Sequence, residues 1–137
     1  MAVRCERGTV HSVEKSPEAA ELIDRNRRKF GCDNIVIQTG RAAELVVDLP
    51  CPDCVFIGGS GGELKDIIQA AYEKNSNIRL TVTAVSLETL SECTAVFDEL
   101  GFEAEITQIA VTRTNKVGSH TMMSALNPVF IIKRKLV

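Results

Sequence analysis

Two rhythms of apolar positions alternate along the chain: short runs of consecutive apolar residues, and stretches in which they recur at helical spacing. Thr9 to Val13 reads as a strand ending at Glu14. Ser16-Pro17-Glu18 reads as a helix start, with Ser16 at the N-cap and Pro17 at the first helical position. That helix is expected to run to about Phe30, with Ala19, Leu22, Ile23 and Phe30 as its apolar positions and Gly31 as its stop. Ile35-Val36-Ile37 makes a short buried strand, and a short helix is expected around Ala42 to Leu49. Cys54-Val55-Phe56-Ile57 is uniformly apolar, as a central parallel strand should be.

Gly58-Gly59-Ser60-Gly61-Gly62 follows that strand, and Glu63 to Lys74 is an amphipathic helix with Leu64, Ile67, Ile68 and Ala71 inward. Arg79 to Val85 is the next strand and Leu87 to Leu100 the next helix, ended by Gly101. Ala104 to Thr112 alternates like a strand near a sheet edge, and Val129 to Ile132 is a last apolar strand after Asn127-Pro128. The order is β-α-β-α-β-α-β-α-β-β, an α/β pattern. Two strands in succession at the end imply an antiparallel hairpin appended to a parallel sheet. The stretch from Arg113 to Leu126 reads as a loop longer than a hairpin needs, which marks it as functional or mobile.

Composition narrows the function classes. With 137 residues, 45% of them hydrophobic, the chain can bury one core. A net charge of −2 lacks the basic footprint of a nucleic-acid binder, and no apolar run is long enough to span a bilayer. The start, Met-Ala-Val-Arg-Cys-Glu-Arg, lacks the apolar region of a signal peptide, so a soluble cytoplasmic protein is expected. Five cysteines, an odd number, suit reduced thiols. Cys51-Pro-Asp-Cys54 has CxxC spacing, but no second ligand pair accompanies it, and it leads into a strand rather than a thiol-activating helix. No metal site is expected.

In an open parallel sheet, ligands gather at the carboxyl ends of the strands. Four places qualify here. Glu14 could accept hydrogen bonds from ribose hydroxyls; Thr39-Gly40-Arg41-Ala42-Ala43 could border an adenine. Gly58 to Gly62 would let backbone approach a ligand closely. It fits neither the Walker A pattern nor GxGxxG. Thr83 to Thr89 joins a strand end to a helix capped by Ser86, with Thr89 at the third helical position. Ser60 sits one residue off a GxSxG elbow, and His120 alone makes no triad, so a serine hydrolase is disfavoured.

Three stretches together resemble a known family: Pro52-Asp-Cys-Val-Phe-Ile-Gly-Gly-Ser-Gly-Gly62, Thr83-Ala-Val-Ser-Leu-Glu-Thr89 and Ala125-Leu-Asn-Pro-Val129. Val13 to Ala19 and Phe30 to Ile35 match in order as well. The family is that of the precorrin-6Y C5,15-methyltransferases (decarboxylating) of cobalamin biosynthesis. The resemblance implies a Rossmann-like class I methyltransferase sheet, S-adenosylmethionine as donor and a tetrapyrrole polycarboxylate as acceptor. It implies cofactor contacts at Glu14, Lys15, Arg41, Ala42, Gly58 and Gly59, with Arg41 standing where the family has an acidic residue. Substrate contacts are implied at Ser60, Gly61, Thr83, Leu87, Glu88 and Thr89. Arg113, Lys116 and His120 are the cations that could hold the substrate's carboxylates. No side chain stands out as catalytic, since methyl transfer depends chiefly on positioning.

The chain also departs from the family. The family's first strand, its glycine-rich loop and the helix after them have no counterpart ahead of Thr9, and Met1 to Arg7 reads as the tail of that helix. The missing strand would lie between the strands at Val10 and Val55, so its absence would leave two unpaired edges. A single methyltransferase domain, 1–137, truncated at its start and impaired in donor binding, is therefore expected. Homo-oligomerisation, with a tetramer as one form, could compensate. The rival readings are a binding-only fragment and a nucleotide-dependent oxidoreductase of Rossmann type.

Overall fold

The computed structural model describes residues 1–5 and 7–136. Glu6, within the stretch read as a helix tail, lies outside them; the described part of that stretch holds a 3-10 turn, Ala2–Arg4. The α/β pattern is observed, and the chain divides into two compact units, Met1–Cys51 and Pro52–Val137.

The first unit is β1 (Val10–Glu14), α1 (Pro17–Lys29), β2 (Ile35–Thr39) and α2 (Ala42–Leu45). β1 and β2 pair in parallel, with Glu14 opposite Thr39, and form a sheet of two strands. Ser16 caps α1 as its sequence predicts, its hydroxyl accepting from the Ala19 N–H at 3.2 Å. The expected apolar face of α1 is a correction: only Ala20 is buried, while Leu22 and Phe30 are 49% and 65% exposed. A sheet of two strands is too narrow to cover a helix face of that length. α2 is shorter than the Ala42 to Leu49 expectation, ending at Leu45. Asn34 ties the start of β2 to the N-terminal segment by donating to the carbonyls of Ala2, Cys5 and Gly8.

The second unit holds β3 (Cys54–Ile57), α3 (Leu64–Lys74), β4 (Arg79–Ala84), α4 (Leu87–Glu99), β5 (Ala104–Ile109), β6 (Thr112–Val117), β7 (His120–Ala125) and β8 (Val129–Arg134). Its main sheet runs β3-β4-β8-β5, parallel between β3 and β4 and antiparallel across β8. The expected antiparallel ending is present, with β8 inserted between β4 and β5. Leu64, Ile67, Ile68 and Ala71 of α3 and Cys93, Val96 and Phe97 of α4 are buried with Ile57, Leu80, Val82, Ala84 and Ile132 of the sheet. Alternation puts Phe56, Thr81, Thr83 and Ile131 on the other sheet face, where Phe56 is 53% exposed. Thr81, Thr83 and Ile131 on that face are half-buried.

The loop expected from Arg113 to Leu126 is instead a second hairpin, β6 with β7, turning at Gly118 and Ser119. The strand expected to reach Thr112 ends at Ile109, and Thr112 opens β6. Gly118, at φ 61, supplies the left-handed conformation that a two-residue hairpin turn requires. Every residue of β6 and β7 is exposed.

Cys93 is fully buried, and burial first, then the nearby Glu92 charge, push its thiol up to about 11 from 9.0. Because the folded value is raised, the thiol's contribution to stability is whole below about pH 9 and is lost as pH rises toward 11. Cys51 is exposed. In alkylation at pH 8 followed by mass spectrometry, Cys51 should label readily and Cys93 only once urea unfolds the chain. Equal labelling of both in the native chain would refute this burial.

Candidate functional site

The predicted site residues fall into three groups, each within one unit. In the first unit, Glu14 ends β1 beside the end of β2. Its carbonyl accepts from the Gly40 N–H at 3.0 Å, and its Oε1 accepts from the Ser16 N–H at 3.1 Å. Oε2 makes no hydrogen bond among the described residues. Ala42 opens α2 on the same carboxyl-end side. Arg41 precedes it and pairs with Glu44 at 2.9 Å, so its charge is engaged within its own turn. Lys15 is exposed. Parallel pairing of β1 and β2 thus brings Glu14 and the Gly40-Arg41-Ala42 loop together.

In the second unit, a cavity of about 370 Å³ lies at the carboxyl ends of β3 and β4. It is lined by Gly58–Gly62, Thr83, Val85, Glu88, Thr89 and Glu92, so it gathers Ser60, Gly61, Thr83, Glu88 and Thr89 from the predicted set. The turn from Gly58 is closed by the Glu63 N–H donating to the Ser60 carbonyl at 3.1 Å. Gly61 and Gly62 have φ of 60 and 87, conformations that favour glycine. Gly59 does not, and a Cβ built on it meets no atom within 4 Å. The fold therefore gives no reason for glycine at 59.

Three hydroxyls at or beside the cavity are already engaged, those of Thr83, Ser86 and Thr89. Thr83 Oγ1 donates to the Ile57 carbonyl at 3.4 Å. Ser86 Oγ accepts from the Thr89 N–H at 3.2 Å and donates to Thr89 Oγ1 at 3.0 Å, capping α4. Leu87, predicted at the site, is not in the lining and stands 74% exposed on the first turn of α4. Val85 and Glu92 line the cavity without having been predicted. The signal for Glu92 was its spacing, one helical turn after Glu88 on the same face.

The third group does not cluster. In the β6–β7 hairpin Val117 pairs with His120 and Lys116 with Thr121. Alternation therefore places Arg113 and His120 on one hairpin face and Lys116 on the other. Among the described residues no cluster of His, Cys, Asp and Glu could hold a metal ion, and no helix is long and apolar enough to cross a membrane.

Comparison with known proteins identifies the family. The family model of the precorrin methyltransferase domain matches residues 2–135. A protein of Pyrobaculum calidifontis named Probable cobalt-precorrin-6B C(15)-methyltransferase (decarboxylating) is 42% identical over 124 residues. The match takes in 90% of this chain and 64% of that relative, so the chain spans somewhat less than two thirds of it. A crystal structure of precorrin 8W decarboxylase from Methanobacterium thermoautotrophicum superposes with a TM-score of 0.85 at 33% identity, covering 93% of this chain and 70% of the other. A precorrin-6Y C5,15-methyltransferase from Geobacter metallireducens gives 0.83 at 34% identity, covering 93% and 66%.

Proposed function

The chain belongs to the precorrin methyltransferase domain family, and from that premise we propose that it serves an S-adenosylmethionine-dependent C-methylation of a precorrin macrocycle, coupled to decarboxylation of an acetate side chain, in cobalamin biosynthesis. The observation that carries the reading is the cavity at the strand ends, where Gly59 leaves backbone open to a ligand that the fold itself does not require.

The residues fit two portions of the donor. Glu14, with Oε2 uncommitted, suits ribose hydroxyls, and the loop to Ala42 suits an adenine edge. Gly58 and Gly59 suit the reacting end. When bound, the donor supplies an electrophilic methyl group. The chain's own contribution is to orient donor and acceptor and to shape the cavity. Arg113 and Lys116, on opposite hairpin faces, could each meet a substrate carboxylate but not the same one.

The proposal includes the domain's extent: residues 1–137 belong to one methyltransferase domain. It includes a cytoplasmic location and a homo-oligomer, with a tetramer as one form.

Calorimetric titration with S-adenosylhomocysteine tests the reading, with the P. calidifontis relative as reference. The chain should bind, and Glu14→Gln should weaken binding about tenfold or more, the usual worth of a charge-assisted hydrogen bond. Sedimentation of the same sample counts the copies. Absence of binding while the relative binds, or equal binding by the variant, would overturn the assignment of Glu14 and its half of the site.

A further inference from the structure

The cavity at the ends of β3 and β4 has an unusual charge balance for a polycarboxylate substrate. Its lining contains no Lys, Arg or His, yet it contains Glu88 and Glu92. Neither carboxylate has a hydrogen bond or ion pair among the described residues, and Glu92 is half-buried. Thr83, Ser86 and Thr89 are hydrogen-bonded within the fold, so these two acids are the charged acceptors of the site, beside the Ser60 hydroxyl. Their wall faces the Gly58–Gly62 turn, in which Gly59 is open for a ligand.

Charge movement during C-methylation explains such a wall. The S–CH₃ bond breaks with its electron pair passing to sulfur, and the new C–CH₃ bond forms from a π pair of the macrocycle's enamine system. The positive charge that began on sulfur arrives on a conjugated macrocycle nitrogen. When carbon dioxide then leaves, the C–C bond pair flows into that iminium and neutralises it; the resulting exocyclic methylene takes a proton from water, and the newly methylated carbon gives up its own proton to the hydroxide left behind, so the product macrocycle is neutral. An anion beside the donor would stabilise the charge that disappears and slow transfer; an anion beside the acceptor stabilises the charge that appears. Both acids also repel the substrate's carboxylates, so those arms point away from the cavity.

We propose that Glu88 and Glu92 form an anionic wall that selects a macrocycle bearing positive charge and stabilises the cation formed on it by methylation. The inference rests on the proposed precorrin reading. It adds Glu92, and it gives the pair a role in the chemistry.

The test is fluorescence titration of this chain with two probes, uroporphyrin, a polycarboxylate, and tetrakis(N-methylpyridyl)porphine, a cationic tetrapyrrole. The double variant Glu88→Gln, Glu92→Gln should lose about tenfold or more of the preference for the cationic probe, as expected when two nearby charges are removed. A control, Glu21→Gln with Glu73→Gln, changes net charge equally at exposed positions and should keep the preference. Circular dichroism checks that each variant folds, and the single variant Glu92→Gln replaces the double one if that pair does not. An unchanged preference with tetrapyrrole binding intact overturns the anionic wall alone. Binding of neither probe by the parent chain overturns the wall and the macrocycle reading together.

Discussion

Phe97→Ala is expected to destabilise the second unit by about 3–5 kcal/mol, the usual cost of deleting a buried aromatic ring. Phe97 is 1% exposed and meets Phe102 edge-on at 5.5 Å; Phe102 in turn meets Tyr72 at 4.9 Å. The Phe102 N–H also donates to the Phe97 carbonyl at 2.8 Å, closing α4, so the ring pair and the helix end are one structure. Removing the ring leaves a cavity walled by α3, α4 and the sheet, and those elements carry the strand ends on which the candidate site is built. Against a typical stability of about 5–15 kcal/mol, about a fifth or more would be lost. Urea unfolding followed by far-ultraviolet circular dichroism measures it. The contrasting variant is Phe30→Ala, 65% exposed at the end of α1 with only Lys29 over its ring, expected to cost about 0.5 kcal/mol. Equal losses would mean that the core is not where burial places it.

That contrast also shows what could be read in the chain beforehand. The inward set of α3 was legible residue for residue, because a helix packed on a sheet must bury one stripe and Leu64, Ile67, Ile68 and Ala71 supply it. The apolar residues of α1 follow the same rhythm but have too little sheet to bury them. Periodicity states which face a helix offers, not whether anything covers it. The β6–β7 hairpin escaped notice for a related reason. Both of its faces are exposed, so its strands carry no apolar alternation, and the one local signal was Gly118-Ser119 as a two-residue turn.

The site was legible to the same degree. Strand ends predicted where the candidate site residues collect, since that depends only on the parallel order of β1 with β2 and of β3 with β4. The pairing of cations was not predictable from spacing. Arg113 and Lys116 are near in sequence, yet strand alternation turns them apart. Glu92 was missed because attention to strand ends stops at the first helical turn, whereas a cavity wall extends to the next.

Gly59→Val should leave folding nearly intact and reduce binding of S-adenosylhomocysteine by about a hundredfold, the scale expected when a reacting group is held about an ångström out of place. The reasoning turns on neighbours within the same turn. At Gly61 and Gly62 the backbone conformation itself disfavours other residues, so a loss there could come from strain. At Gly58 a Cβ would lie 3.3 Å from the Phe56 ring, so contact with that side chain would confuse the result. Gly59 has neither constraint, and replacing glycine at an unstrained position can even stabilise by about 0.4–1 kcal/mol through the unfolded chain. A valine side chain would project into space that the fold leaves vacant and the proposed reading assigns to ligand. Thermal unfolding and calorimetry on the same protein separate the outcomes. Unchanged stability with lost binding places ligand against Gly59, whereas unchanged stability with unchanged binding would show that the space is solvent and that the donor binds elsewhere.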